Sequence, residues 1–453
     1  MAVRKPEAVA MAVAGLDPSG GAGLSADIRA FTALGVYCAP VISAITVQDT
    51  RGVYAVRPVE AELLRGQLEA VLRDLRPSWA KVGVLYSAEN VKLVAKLLPE
   101  KGVKLVVDPV LKAGTGEPLL EHGALEALRD ELVPRASIVT PNAREASELT
   151  GIRVRSVEDA REAARTLALL GPEGVVVKGG HIEGPVATDV LYYKGRFYEF
   201  RRPRLDVDAH GSGCAFSSFL TALLALGEEV PSAVEKAGDL AYEAVRWSVG
   251  VGSGRPVAEP SARLFREAER YAVLREVEEA VRAFLSEPKA ADFIPEVGTQ
   301  IGMAISMPSG PEDVAAVEGR IVRAGRRPVA VGPVRFGASS HVARIILTAM
   351  RHDPGVRAAM NLAYRPELLE ALERMGLTVA SFDRSGEPPE VAMTEGASLP
   401  WGVEEAIRAC GGRVPDVIYD LGAVGKEPMV RLLGRSALDV VQKALRAVRM
   451  ASG

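Results

Sequence analysis

Short β-branched runs alternate with helical stretches through residues 1–257, and that alternation restricts this part of the chain to an α/β architecture. Residues 9–14 and 41–46 read as strands. Residues 80–85 and 103–107 are apolar enough to be strands buried on both faces, and 137–139 and 174–177 repeat the pattern. Helices are expected over 25–34 and 59–75, the second carrying Leu63, Leu64, Leu68, Val71 and Leu72 at helical spacing. Residues 189–193 and 196–200 read as a hairpin turning at Lys194-Gly195. Strands spaced by helices imply a mostly parallel sheet covered on both faces, and ligands of such sheets sit beyond the carboxyl ends of the strands. Motifs placed just after strands therefore converge on one crevice, however far apart they are in sequence.

Residues 249–260 break the pattern with Gly250, Gly252, Gly254, Pro256 and Pro260. A helix is expected over 261–286, with Leu264, Ala268, Tyr271, Leu274, Val277, Val281 and Leu285 on one stripe. It is counted with a second domain, 258–453, rather than as a coiled coil. That second domain is smaller and again mixed. Strands are expected near 302–306, 327–331, 378–382 and 417–419, and helices near 339–351, 366–375, 401–410 and 428–433. At 453 residues two domains are the natural outcome. The 55 basic and 58 acidic side chains leave a net charge of -3, which argues against nucleic acid or an anionic membrane as partner. Cys38, Cys214 and Cys410 form no CxxC pair, and no apolar run reaches membrane-spanning length, so a cytoplasmic location is expected.

Chemistry gathers at the strand ends. Asp17-Pro18-Ser19-Gly20-Gly21-Ala22-Gly23 follows the first strand and lacks the Lys-Ser/Thr of a P-loop; it reads as a substrate-contacting loop or a plain tight turn. Gln48 carries an amide suited to the N–C–N edge of an amino-heterocycle, or is a solvated loop residue. Asp108 serves a metal or a turn. Asn142 and Glu145, three apart, can share a helix face towards hydrated Mg²⁺, and Asn142 can instead cap the helix. Lys178 follows the 174–177 strand, where a cation can meet nucleotide phosphate. His210-Gly211-Ser212-Gly213-Cys214 opens an apolar helix whose first N–H groups suit a transferring phosphoryl group. At that helix terminus the Cys214 thiolate is expected to be favoured; the residue is either a base or a small buried side chain.

These residues carry a resemblance. DPSGGAGLSADIRAFTALGVY and AITVQDTRG within 14–52, DPV at Asp108, TPN with Glu145, VKGGH at Lys178 and HGSGCAFSS at 210–218 resemble the hydroxymethylpyrimidine and hydroxymethylpyrimidine-phosphate kinases of the ribokinase superfamily. The resemblance implies a three-layer α/β/α domain that uses ATP and Mg²⁺ to phosphorylate the pyrimidine alcohol and then its monophosphate. It implies substrate contacts at Asp17, Gly21, Gln48 and Val110, and nucleotide contacts at Lys178, Gly211, Ser212 and Gly213. It places Cys214 at the catalytic position and Asp108, Asn142 and Glu145 near the metal. Asp49 and Ser212 depart mildly from the family pattern. Gln48, in place of a Glu seen in some relatives, leaves pyridoxal-type alcohols open as substrates.

In the second domain Arg320, Arg335, His341 and Arg344 surround glycine and serine turns, a pattern suited to an anion. Asp420 and Glu427 are candidates to place Mg²⁺, and Lys426 to meet phosphate. RFGASSHVAR at 335–344, MNLAYRPE at 360–367 and PDVIYDLGAVGKEPMVRLLG at 415–434 resemble the thiamine-phosphate synthase domain found fused to the pyrimidine kinase. The resemblance implies coupling of the pyrimidine diphosphate to hydroxyethylthiazole phosphate, with Arg320 and His341 catalytic, and a homodimer by analogy. Two other readings stand beside it: a pyridoxal or sugar kinase with a regulatory tail, and a pyrimidine kinase whose carboxyl half only senses a ligand.

Overall fold

The computed structural model describes residues 5–452. The chain divides between Leu264 and Phe265 into two compact units. The helix expected over 261–286 runs Ala262–Leu285, so the division falls in its first turn.

The first unit is built on nine strands: β1 Val9–Leu16, β2 Tyr37–Gln48, β3 Val53–Pro58, β4 Trp79–Val82, β5 Lys104–Val107, β6 Ile138–Val139, β7 Gly174–Val177, β8 Val186–Tyr193 and β9 Arg196–Pro203. Their spatial order is β3-β2-β1-β4-β5-β6-β7-β8-β9. The six strands from β2 to β7 are parallel, and β3, β8 and β9 extend the sheet antiparallel at its edges. Alternation assigns the faces. Leu105, Val107, Val139, Val175 and Val177 join one apolar cluster with Leu64, Leu68, Val94 and Leu98 of the helices Ala61–Asp74 and Ala88–Glu100. Val106, Ile138 and Val176 point the other way, onto Phe216, Phe219 and Leu220 of the helix Ser212–Ala225. In β1, Met11 and Val13 serve the first face, while the small Ala10, Ala12 and Ala14 face the helices Gly23–Ala33 and Ser212–Ala225 and let them approach closely. Strand order reverses between β1 and β4, which opens the crevice that a doubly wound sheet uses for ligands.

The second unit carries β10 Ile301–Ala304, β11 Val314–Val317, β12 Ile321–Ala324, β13 Arg327–Ala330, β14 Val334–Phe336, β15 Ala358–Ala363, β16 Val379–Ser381, β17 Val417–Asp420 and β18 Met429–Gly434. Seven of them form a sheet ordered β14-β11-β10-β15-β18-β17-β16, and β12 and β13 form a separate hairpin. Only β16 and β17 pair in parallel. One face packs Val273, Val277 and Phe284 of the long helix, together with Val440, Val441 and Ala444 of the helix Ala437–Ala451. The other face packs Ile345 and Ile346 of the helix Ser340–His352 and Val403 and Ile407 of the helix Ser398–Ala409. The stripe expected on the long helix is only partly buried, since Leu264 is 44% and Tyr271 71% exposed.

One element is corrected. Residues 428–433 read as a helix, yet β18 lies between β15 and β17 with all six residues buried. Val430 and Leu432 serve one face and Leu433 the other, so a run without alternation in hydropathy is a strand covered on both sides. Leu432→Ala should therefore cost about 2–4 kcal/mol in denaturant unfolding, whereas Val329→Ala, on the exposed hairpin, should stay within about 0.5 kcal/mol.

Candidate active sites

In the first unit, loops after β1, β2, β5, β6 and β7 and the start of the helix Ser212–Ala225 line a cleft of about 690 Å³. Asp17 organises the first loop itself: Oδ1 accepts from Ser19 N at 2.8 Å and Oδ2 from Ala22 N at 2.9 Å. Oδ2 also lies 2.9 Å from His210 Nε2, across 193 residues of sequence. Burial alone would raise the Asp17 carboxyl, but the hydrogen bonds from His210 and Ser19 bring it below its ordinary value. Gly21, expected to touch substrate, does not line the cleft. A Cβ there would run into the His210 ring, so its lack of a side chain admits the imidazole. Gly211, at φ +87°, sits against the carbonyl of Gly21, so any side chain there would separate the two loops.

His210 Nε2 also lies 3.0 Å from the Gln48 amide. Thr46 Oγ1 donates to Leu16 O and stands 3.2 Å from the other end of that amide. Gln48 Nε2 lies against His210 and its Oε1 accepts from Thr46 Oγ1; with the amide turned over, the His210 N–H is shared between Asp17 and the Gln48 oxygen and every group is satisfied. Gln48 is thus a fixed residue of the cleft wall, with one amide proton left for a ligand.

The helix Ser212–Ala225 starts after Gly211 without a capping side chain, and Ser212, Gly213 and Cys214 line the cleft. N–H groups in the first turn of a helix have no partner within it, which suits an anion. Cys214 departs from expectation. Burial pushes its thiol up to about 11, outweighing Lys81 and a hydrogen bond from the Gly23 backbone, while Asp108 and Asp27 push the same way as burial. The helix terminus does not yield a resident thiolate.

Two buried Lys–Asp–Ser groups stand behind that helix start. Lys178 Nζ meets Asp108 Oδ1 at 2.7 Å, and Ser217 Oγ donates to Asp108 Oδ2 at 3.2 Å. Lys81 Nζ meets both oxygens of Asp27 at 2.9 and 3.0 Å, and Ser218 Oγ donates to Asp27 at 2.6 Å. Both side chains of the second pair are fully buried. Asn142 and Glu145 form a capping box: Asn142 Oδ1 accepts from Arg144 N and Glu145 N, and Glu145 Oε2 accepts from Asn142 N at 2.7 Å. Of the two readings of Asn142, its oxygen serves the helix end, and the residue also lines the cleft. Val110 lines the cleft beside these groups.

In the second unit Arg320 occupies a turn at φ +71° and donates to Val297 O at 2.8 Å. His341 lies in the first turn of the helix Ser340–His352, capped by Ser339. Partial burial lowers its pKa, and the fields of Arg320 and Arg344 lower it further. Arg335 pairs with Glu318 at 2.8 Å, and Lys426 with Glu387 at 3.2 Å. Asp420 is a second correction. Its oxygens accept from Arg384 Nε at 2.6 Å, Arg431 Nη1 at 2.7 Å and Gly422 N at 3.0 Å, all three side chains being buried. That carboxylate is saturated by two guanidinium groups and has no face left for a cation.

Residues 17–258 match the family described as phosphomethylpyrimidine kinase, and residues 276–446 match thiamine-phosphate synthase ThiN. The bifunctional thiamine biosynthesis protein ThiDN of Methanocaldococcus jannaschii is 32% identical over 437 residues, spanning 96% of this chain and 97% of its own length. The chain belongs to this bifunctional thiamine-biosynthesis family. The hydroxymethylpyrimidine/phosphomethylpyrimidine kinase of Bacillus subtilis is 40% identical over 248 residues, 54% of this chain and 92% of that one. Among solved structures, an ADP complex of Bacillus subtilis pyridoxal kinase aligns with a TM-score of 0.53 at 32% identity, covering 57% of this chain and 99% of that one. The enzyme is therefore a ribokinase-like kinase joined to a smaller synthase, and no helix among the described residues is long and apolar enough to cross a membrane.

Family membership implies an ATP- and Mg²⁺-dependent kinase. No three His, Cys, Asp or Glu side chains converge as a ready cage among the described residues. Mg²⁺ needs none, since it keeps its waters and takes one or two carboxylates plus substrate phosphates. Asp108 and Glu145, both at the cleft wall of the kinase, fit that demand. Sequence reasoning missed Asp27, Lys81 and the bridging role of His210. A lysine inside the four-residue strand Trp79–Val82 was the available signal, because a charge in a fully buried run needs a partner.

Two outcomes follow. Lys81→Met strands a buried carboxylate and should lower stability by about 3–5 kcal/mol, most of it recovered in the double variant with Asp27→Leu. Burial pushes Glu145 from its ordinary 4.5 up to about 7, with Lys178 opposing and Asp108 reinforcing the shift. The folded kinase holds a proton there that the unfolded chain has released. The associated stability is complete below pH 4.5 and lost as pH rises through about 7. Thermal unfolding without Mg²⁺ should show this slope, and Glu145→Gln should flatten it.

Proposed function

We propose that the kinase cleft phosphorylates 4-amino-5-hydroxymethyl-2-methylpyrimidine and then its monophosphate, and that the synthase couples the diphosphate to hydroxyethylthiazole phosphate. The observation carrying the kinase half is the joining of an amide-presenting wall, Gln48 with His210 and Asp17, to the N–H seat of residues 211–214. Gln48 holds the amino-heterocycle edge, and Val110 packs against the ring. Lys178 and the N–H groups of residues 211–214 hold the transferring phosphoryl group, offsetting charge where it develops. Mg²⁺, when bound by Asp108 and Glu145 through water and phosphate, supplies further charge neutralisation. Because Cys214 is a neutral thiol, it acts as a contact to the acceptor oxygen rather than as a standing base. In a loose transfer the hydroxyl proton leaves late, onto the phosphate just formed.

In the synthase, the methylene–oxygen bond of the pyrimidine diphosphate breaks with its electron pair leaving on pyrophosphate, assisted by the 4-amino group of the ring. The thiazole nitrogen lone pair then forms the new carbon–nitrogen bond, so no general base is needed. Arg320 and Arg344 stabilise the departing pyrophosphate. His341, held neutral beside them, gains a proton or donates a hydrogen bond as negative charge builds. Arg335 and Lys426, each in a partly exposed ion pair, are placed to exchange a carboxylate for substrate phosphate. The substrates are small molecules; a homodimer is part of this reading only by analogy.

A second reading of the kinase alone, activity on a pyridoxal-type alcohol, is favoured by the aligned pyridoxal kinase and is separated by profiling each alcohol. Cys214→Ala should lower pyrimidine kinase turnover by about 10²–10³-fold while synthase activity on supplied pyrimidine diphosphate persists. His341→Ala should do the reverse, with pyrophosphate release as the readout. Loss of both activities in either variant at native fold content would overturn the division of labour.

A further inference from the structure

Resting on the kinase reading, a second demand falls on the same cleft. The acceptor of the second transfer already carries a phosphate, so the acceptor end must hold negative charge that the alcohol did not bring. Most cations of the cleft are committed. Lys81 and Lys178 are paired with buried carboxylates, and Arg202 is held between Asp189 and Asp239. Arg204 spends its donors on the carbonyls of Gly180, Ile182 and Gly184.

Lys112 pairs with the exposed Glu148, and Arg255 differs from it in its anchorage. Its backbone N donates to Thr50 O at 2.9 Å, two residues beyond Gln48. The next residue accepts from His210 N at 2.8 Å, and Ala258 N donates to His210 O at 2.9 Å. The segment that carries this side chain is thus tied to the turn after Gln48 on one side and to His210 on the other. The guanidinium lines the cleft and lies over Gly114, where a Cβ would collide with it. Its acidic partner, Asp208, is 78% exposed, so this ion pair is solvated on one side and cheap to exchange.

We propose that Arg255 is the specificity-determining cation for the second transfer: it leaves Asp208 and takes the phosphate of the pyrimidine monophosphate through its planar fork of donors. An oxygen of that ionised phosphate then forms a bond to the γ-phosphorus while the bond to the β–γ bridging oxygen breaks. The electron pair leaves on ADP, and no proton has to be taken up. Arg144, which opens the helix Ala143–Thr150 beside Glu145, also lines the cleft and serves as the control cation.

The test measures kcat/KM separately for the alcohol and for the monophosphate, each with ATP and Mg²⁺, on the full chain. In Arg255→Gln the ratio of second-step to first-step kcat/KM should fall by about 30-fold, chiefly through KM for the monophosphate. Arg255→Lys should recover part of the loss, because a point charge cannot reproduce the fork. Asp208→Asn, which removes the competing charge but leaves the bond from Arg255 Nε to the residue 208 carbonyl, should lower KM for the monophosphate. Arg144→Gln should depress both steps together. A ratio within about threefold of wild type in Arg255→Gln, a selective loss in Arg144→Gln instead, or no gain in Asp208→Asn would overturn the inference while leaving the kinase reading intact. A wild-type chain that phosphorylates neither compound would sink that reading and this inference with it.

Discussion

The close approach of two glycine loops holds the kinase cleft together. The carbonyl of Gly21 rests where a side chain on Gly211 would be, and the His210 ring fills the space that a side chain on Gly21 would take. That contact turns two separate turns into one wall. It also lets a single imidazole tie Asp17, which organises the first loop, to Gln48 at the end of a different strand. The helix Ser212–Ala225 follows directly, so the position of its N–H groups relative to the heterocycle wall is set by the same packing. Positioning of this kind is what a phosphoryl transferase most needs, since the protein does little covalent chemistry of its own.

Behind the wall the electrostatics are arranged in duplicate. Asp27 with Lys81 and Ser218, and Asp108 with Lys178 and Ser217, hold opposite charges in surroundings where either alone would be costly. Asp108 faces the cleft and holds Lys178 beside it. Asp27 and Lys81 sit deeper and fix the approach of two helices to the sheet. Cys214 is half-buried near these groups, and desolvation with the two carboxylates holds its thiol above the ordinary range. In the synthase the same logic produces a different object: Asp420, clasped by Arg384 and Arg431, fastens β17 to its neighbours instead of meeting a ligand.

Much of this was legible before any coordinates. Buried-strand runs between helices announced a doubly wound sheet, and residues placed just after β1, β2, β5 and β7 do meet in one cleft. Asn142 was legible in both of its readings, and the capping reading is the one its oxygen serves. Residues 428–433 misled because a short apolar run without alternation fits a buried strand as well as a helix face. The thiol of Cys214 misled because partial burial beside the Asp108 and Asp27 carboxylates outweighs what a helix terminus and Lys81 offer a thiolate.

By itself, the order of residue types determined the layers of the kinase unit, the placement of polar groups at strand ends and the glycines that permit close loops. Those are local consequences of periodicity, side-chain size and backbone freedom. Which buried charges answer one another, whether a carboxylate keeps a free face, and whether a thiol stays protonated were decided only by the tertiary structure. Each depends on distance and desolvation between segments far apart in the chain, quantities that no local pattern encodes.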